Sequence, residues 1–213
     1  MTAPVWTEII TPEQLTALLG EPTAAVVTKE RAALTAVDRA WLAASRFCMV
    51  GTADADGRCD VSPKGDPAGQ LVHVVDDRTI ALAERPGNRR ADGYRNILQN
   101  PHVGLNFVIP GRGDTLRVNG RARLVSDAPF FDEMVVKGHR PLLALVVEIE
   151  TIYFHCAKAF LRSQLWKPET WEPEALVPRR AVLAHELERP ETPVAELDEY
   201  YGQSYEERLY VQP

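Results

Sequence analysis

The sequence predicts a mainly β protein with helices at both ends, its strands forming an antiparallel barrel. Three observations carry this. From Phe47 onward the apolar residues alternate with polar ones or form short apolar runs, which is the signature of strands rather than helices. Turn residues such as Asp54-Ala55-Asp56-Gly57 and Asp76-Asp77 separate the runs at hairpin spacing. Hairpins give antiparallel ladders, and about six strands joined in this way lose their open edges most economically by closing on themselves. A Rossmann fold would need strand–helix–strand alternation and a GxGxxG after a strand, and the sequence has neither.

Composition sets the outer limits. The 213 residues suffice for one sizeable core, so the reading is a single domain over 1–213. Within it lie a helical N-terminal extension (1–45), a barrel core (46–166) and a helical C-terminal extension (167–213). The net charge of −6 and a pI near 5.4 argue against duplex DNA or an anionic membrane as the main partner. No apolar run is long enough to span a bilayer, and MTAPVWTEII lacks the basic-then-apolar order of a signal peptide. Cys48, Cys59 and Cys156 are scattered and form no CxxC, so reduced thiols in a cytoplasmic protein are expected.

Taken in order, Thr11-Pro12-Glu13-Gln14 is a helix start, with a capping threonine and proline in the first turn. Leu15, Leu18 and Leu19 give it an apolar face, and Gly20 ends it. A second helical region runs from about Ala24 to Ala44, broken near Thr35, with Val37, Trp41 and Leu42 turned inward. Phe47–Thr52 and Arg58–Ser62 form a hairpin, and Leu71–Val75 with Thr79–Ala83 forms another. His102–Ile109 reads as an interior strand. Thr115–Val125 alternates cleanly, with Leu116, Val118, Ala122 and Leu124 on one face and Gly120 marking a bulge or a close approach. A short helix near Pro129–Val135 precedes the longest strand, Leu143–Cys156, with Val147, Ile149, Thr151 and Tyr153 on one face.

The stretch between the fourth and fifth strands, RPGNRRADGYRNILQNP, carries the chemistry. Pro86-Gly87 turns the chain, and Asn88 stands at the N-cap position of a helix whose buried face is Ala91, Tyr94, Ile97 and Leu98. Arg89 and Arg90 then lie in the first helical turn. The helix dipole disfavours cations there, so either a dianion such as a phosphate ester sits between them or the turn is merely solvated. Arg85, before the turn, is expected to matter less. The five histidines have no metal-ligand spacing, so no metal site is expected, and the residues name no catalytic acid, base or nucleophile. The arginines at 117, 121 and 123 serve either an anion or ion pairs.

Residues 45–166 resemble the pyridoxamine 5'-phosphate oxidase-like family, the FMN-binding split barrels. The resemblance rests on Gly57-Arg58-x-Asp60-Val61-Ser62-Pro63-Lys64, Asn88-Arg89-Arg90-x-x-x-Tyr94, Asn100-Pro101-x-Val103-x-Leu105 and Thr115 to Ala122, in that order. It implies a six-stranded antiparallel split β-barrel with helical extensions, and a homodimer with FMN between subunits. Asn88, Arg89 and Arg90 would hold the phosphate. Val61, Ser62, Pro63 and Lys64 would line the ring and ribityl chain from one subunit. Thr115 would reach the same flavin from the other, with Ser163 and Trp166 closing the site. The implied activity is hydride transfer between FMN and a small substrate. A flavin or haem carrier without turnover, and a deazaflavin-dependent reductase on the same barrel, are the alternatives. The basic segment by which the true oxidases grip their substrate's phosphate has no match in Trp171–Pro213.

Overall fold

Seven strands build one antiparallel sheet: β1 (Phe47–Ala53), β2 (Cys59–Gly65), β3 (His73–Val74), β4 (Thr79–Ala83), β5 (His102–Val108), β6 (Thr115–Val125) and β7 (Ala144–His155). Their order is β2-β1-β5-β6-β7-β4-β3. The computed structural model describes residues 6–172 and 178–211. The antiparallel architecture with helices is as the sequence predicts, but among the described residues the strand count is seven and the ladder is open. Among the described residues no pairing joins β2 to β3. With only two residues, β3 offers too short a ladder to close the ring.

The sheet nevertheless curls around its main core. Val50 of β1, Phe107 of β5, Val118 of β6, Val147 of β7 and Leu82 of β4 fall in one cluster of buried side chains, which requires these strands to share a concave face. Each such side chain gains about 1.5–3 kcal/mol from leaving water. Two helices cap the concavity. Trp41 and Leu42 enter from α3 (Ala36–Ala44), and Ile97 enters from α4 (Asp92–Gln99). On the opposite face Phe131 and Met134, from a 3-10 turn at Pro129–Met134, cover Ala81, Ala83, Ala144 and Val146. That double cover explains why β4 reads as an unbroken apolar run.

Helix α3 begins where the sequence marks a break. Thr35 accepts from the Asp38 amide, Asp38 accepts from the Thr35 amide, and Arg31 bonds the same buried carboxylate. Val37 does not pack inward: it is 65% exposed, because the capping box rotates Asp38, Trp41 and Leu42 to the core side instead.

The predicted irregularity at Gly120 is a β-bulge. Asn119 pairs with Thr151 and Gly120 with Ile149, leaving Glu150 as the extra residue. A Cβ on Gly120 would stand 2.0 Å from the Glu148 carbonyl oxygen, so only glycine fits. The extra residue also reverses the alternation of β7. Ile149 points into the core, then Ile152 and Phe154 do, so Thr151 and Tyr153 do not share a face with Val147 and Ile149.

The described residues before Arg31 form one compact unit, and those from Arg31 onward form another. Helix α1 (Pro12–Leu19) starts at the predicted capping threonine, where Thr11 and Gln14 form a capping box, and ends at Gly20, φ 81°. Leu15, Leu18 and Leu19 are all exposed. Helix α2 (Ala24–Val27) is short, and the chain from Thr28 to Thr35 is not helical, so the region from 24 to 44 is two helices with a long interval. At the other end lie α5 (Lys158–Ser163), α6 (Arg180–Leu187), α7 (Val194–Tyr200) and α8 (Gln203–Glu207). Helices α6 and α7 pack through Ala181, Ala184 and Leu197. Among the described residues no helix is long and apolar enough to cross a membrane.

Candidate functional site

The loop between β4 and α4 differs from its predicted form. Asn88 does not cap the helix. Its Oδ1 accepts from the Arg90 amide at 3.0 Å, an Asx turn, and the helix begins only at Asp92, with Ala91 as N-cap. Arg89 and Arg90 therefore precede the helix instead of forming its first turn. Two of the loop's non-glycine residues take the left-handed conformation, Arg89 at φ 60° and Ala91 at φ 56°. Each costs of order 1–3 kcal/mol, and such residues concentrate at ligand clamps. Turns of this kind gather successive backbone N–H groups into an anion-binding concavity. Arg90 bonds Asp92 while remaining 78% exposed, and Arg95 braces the loop by donating to the Arg90 carbonyl at 2.9 Å.

Helix α4 is held close to β1 and β2. A Cβ on Gly93 would lie 3.0 Å from Asp60 Oδ2 and 3.4 Å from Thr52 Oγ1, and Asn96 donates to Thr52 Oγ1 at 3.1 Å. This docking brings the loop beside β2, where Asp60, Ser62 and Lys64 alternate inward and Val61 and Pro63 outward. Lys64 Nζ lies 3.0 Å from Glu84 Oε2 and 4.8 Å from the centre of the Tyr94 ring, and the Tyr94 hydroxyl donates to the same Glu84 oxygen. Burial first, and then the Glu84 carboxylate, push the Tyr94 hydroxyl well above the ordinary phenol value, so it stays a neutral donor. Beneath Lys64, burial pushes the Cys48 thiol up to about 12, which removes it as a nucleophile.

The predicted residues thus form two groups. Ser62, Lys64, Asn88, Arg89 and Arg90 surround the loop and the start of α4. Thr115 is buried at the start of β6, near the segment where Trp166 donates to the Arg112 carbonyl at 2.6 Å and stacks on Phe160. Ser163 Oγ donates to the Phe160 carbonyl at 3.2 Å. The row Lys64–Cys48–Phe107–Leu116 crosses four strands, so the groups stand roughly 14 Å apart along the sheet. One chain does not bring them together. On the outer face a groove of about 400 Å³ lies over Met49, Gly51, Val61, Gly104 and Arg117, with Val61 59% exposed. Gly51 and Gly104 pair directly across β1 and β5, which leaves its floor bare backbone.

Sequence reasoning missed three participants. Glu84 ends an apolar strand immediately before the Pro-Gly turn, and an acid in that place was the available signal. Asp66 and Tyr210 gave none. Asp66, buried, accepts from Arg85 Nε at 2.8 Å and from the Tyr210 hydroxyl at 2.8 Å, so the C-terminal segment is pinned beside the loop. Burial, and then the bond to Asp66, push the Tyr210 hydroxyl up to about 12. Arg85, Tyr210 and Arg140 line a second cavity of about 190 Å³. Among the described residues no group of three or more His, Cys, Asp or Glu gathers as a metal site.

Comparison with known proteins agrees with this fold. The profile of the pyridoxamine 5'-phosphate oxidase family matches residues 34–156. Among solved structures, HupZ of Group A Streptococcus is 20% identical, over 56% of this chain and 91% of that one, with a TM-score of 0.45. A Clostridium acetobutylicum protein related to general stress protein 26, of the pyridoxinephosphate oxidase family, is 17% identical over 56% and 85%, at 0.42. A FAD-binding protein from Mesorhizobium loti is 18% identical over 59% and 96%, at 0.38. No curated protein matches the chain.

Proposed function

The chain belongs to the pyridoxamine 5'-phosphate oxidase family, a flavin-binding family, and from that premise we propose that it is an FMN-dependent oxidoreductase acting as a homodimer. The observation that carries the choice of FMN is the loop from Gly87 to Ala91. Two left-handed residues bring two arginine side chains into one short loop, next to the strand that bears Lys64, and this supports a phosphate dianion as the ligand. In this reading Asn88, Arg89 and Arg90 hold the phosphate, and Ser62 and Lys64, on the loop's side of β2, line the rest of the cofactor. Bound FMN supplies the hydride chemistry, and the protein supplies binding, orientation and charge. Thr115, Ser163 and Trp166 come from the second subunit, which accounts for the separation of the two groups within one chain.

The substrate is small and does not depend on a second phosphate grip. In the C-terminal extension Arg179 is engaged by Asp198 at 2.7 Å and Arg180 by Glu188 at 2.7 Å. These pairs hold α6 to its own neighbours and leave the tail acidic.

Titration of the purified protein with FMN and with riboflavin tests the proposal. Arg90→Ala is expected to weaken FMN by one to two decades, since charge-assisted hydrogen bonds to phosphate contribute about 1.5–3 kcal/mol. Riboflavin, which lacks the phosphate, should bind the variant and the parent alike. Equal loss of both ligands, or no loss of FMN, would overturn the phosphate assignment.

A further inference from the structure

We infer that Glu84 is a positioning residue for Lys64, and that it sets how strongly the site favours reduced over oxidised flavin. This rests on the flavin reading above and extends it to a residue that the sequence did not single out.

The geometry is specific. Glu84 directly follows β4, Lys64 lies on β2 and Tyr94 on α4, so three parts of the fold converge on one carboxylate oxygen. That oxygen accepts from Lys64 Nζ at 3.0 Å and from the Tyr94 hydroxyl. The Lys64 side chain is 20% exposed and that of Glu84 33%. In a pair this far buried the lost hydration offsets much of the attraction, so its net contribution to stability is small. It does fix the ammonium over the Tyr94 ring, and it converts a lone positive charge into a close ion pair. A pair of opposite charges acts at a distance as a dipole, whose field falls off faster than that of a single charge. Accepting a hydride leaves a flavin ring one negative charge richer. Lys64 alone would favour that state, and Glu84 withdraws most of the advantage.

Charge arithmetic then separates this role from simple packing. The parent pair carries no net charge, Glu84→Gln carries +1, Lys64→Met carries −1, and the double variant carries none. Glutamine keeps an oxygen to accept from Lys64 and Tyr94, so the local hydrogen bonding survives.

The experiment measures dissociation constants for oxidised FMN and for dithionite-reduced FMN under anaerobic conditions, with the bound midpoint potential as a check. Glu84→Gln is expected to shift the ratio about tenfold towards the reduced form, equivalent to about 30 mV for a two-electron couple. Lys64→Met should shift it about tenfold the other way, and the double variant should return to within about threefold of the parent. If Glu84→Gln binds FMN with a ratio within about twofold of the parent, the inference fails while the flavin reading stands. Should Glu84→Gln fail to fold, the comparison of Lys64→Met with the double variant decides, and identical ratios in those two overturn it. A parent protein that takes up no FMN overturns the flavin reading, and the inference with it.

Discussion

Three arginines within six residues, Arg85, Arg89 and Arg90, look alike in sequence and have different duties in the fold. Arg85 is the buried one. Its side chain is 13% exposed, and it bonds Asp66 and, at 3.0 Å, the Met134 carbonyl. Arg85→Ala is therefore expected to destabilise the protein by about 2–4 kcal/mol, because it strands a buried carboxylate. Thermal unfolding should show this drop for Arg85→Ala and hardly any for Arg90→Ala. Position after a Pro-Gly turn marked Arg89 and Arg90 in the sequence. The burial of Arg85 was not legible there, because its partners lie 19 and 49 residues away. Asp92 adds a further residue-scale effect. It already bonds Arg90, so Asp92→Asn should release the guanidinium and tighten FMN severalfold while leaving riboflavin binding unchanged. Fluorescence titration of both ligands checks it.

At the scale of single elements, helix starts were readable where the capping group lies within three residues, as at Thr11 and Thr35. The start of α4 was misread because Asn88 had a closer amide to bond, that of Arg90. The phase of β7 was misread for another reason: the bulge is set by the backbone of β6 across the ladder, not by β7's own residues. Gly120→Ala is expected to cost about 2–4 kcal/mol by urea unfolding, since the neighbouring strand has no room to retreat. Helix α3 gives a pH dependence. Burial works to raise the Asp38 carboxyl, but Arg31 and both Thr35 donors outweigh it and hold its pKa below the ordinary value. The stabilisation is therefore fully present above the unfolded carboxylate pKa of about 3.9 and is lost as pH falls through the lower folded value. Asp38→Asn should lower the melting temperature at pH 7. The gap between variant and parent should narrow as pH falls below about 4.

For the whole molecule, the hairpins were legible because their pairing is local, whereas closure was not, because it depends on strands far apart in sequence. The separation of Lys64 from Thr115 by three strand spacings makes the dimer the central expectation at this scale. Sedimentation should show a dimer that binds two FMN molecules, and a monomer that binds FMN tightly would refute it. The open ladder has one more consequence. Among the described residues strand β2 pairs with β1 alone, so its other side is an edge to which a strand from a neighbouring molecule could add. Pro63 sits in the middle of that strand, opposite Met49, and it has no N–H to offer. A strand that added there would therefore lose a ladder hydrogen bond at Pro63, the residue also read as a flavin contact.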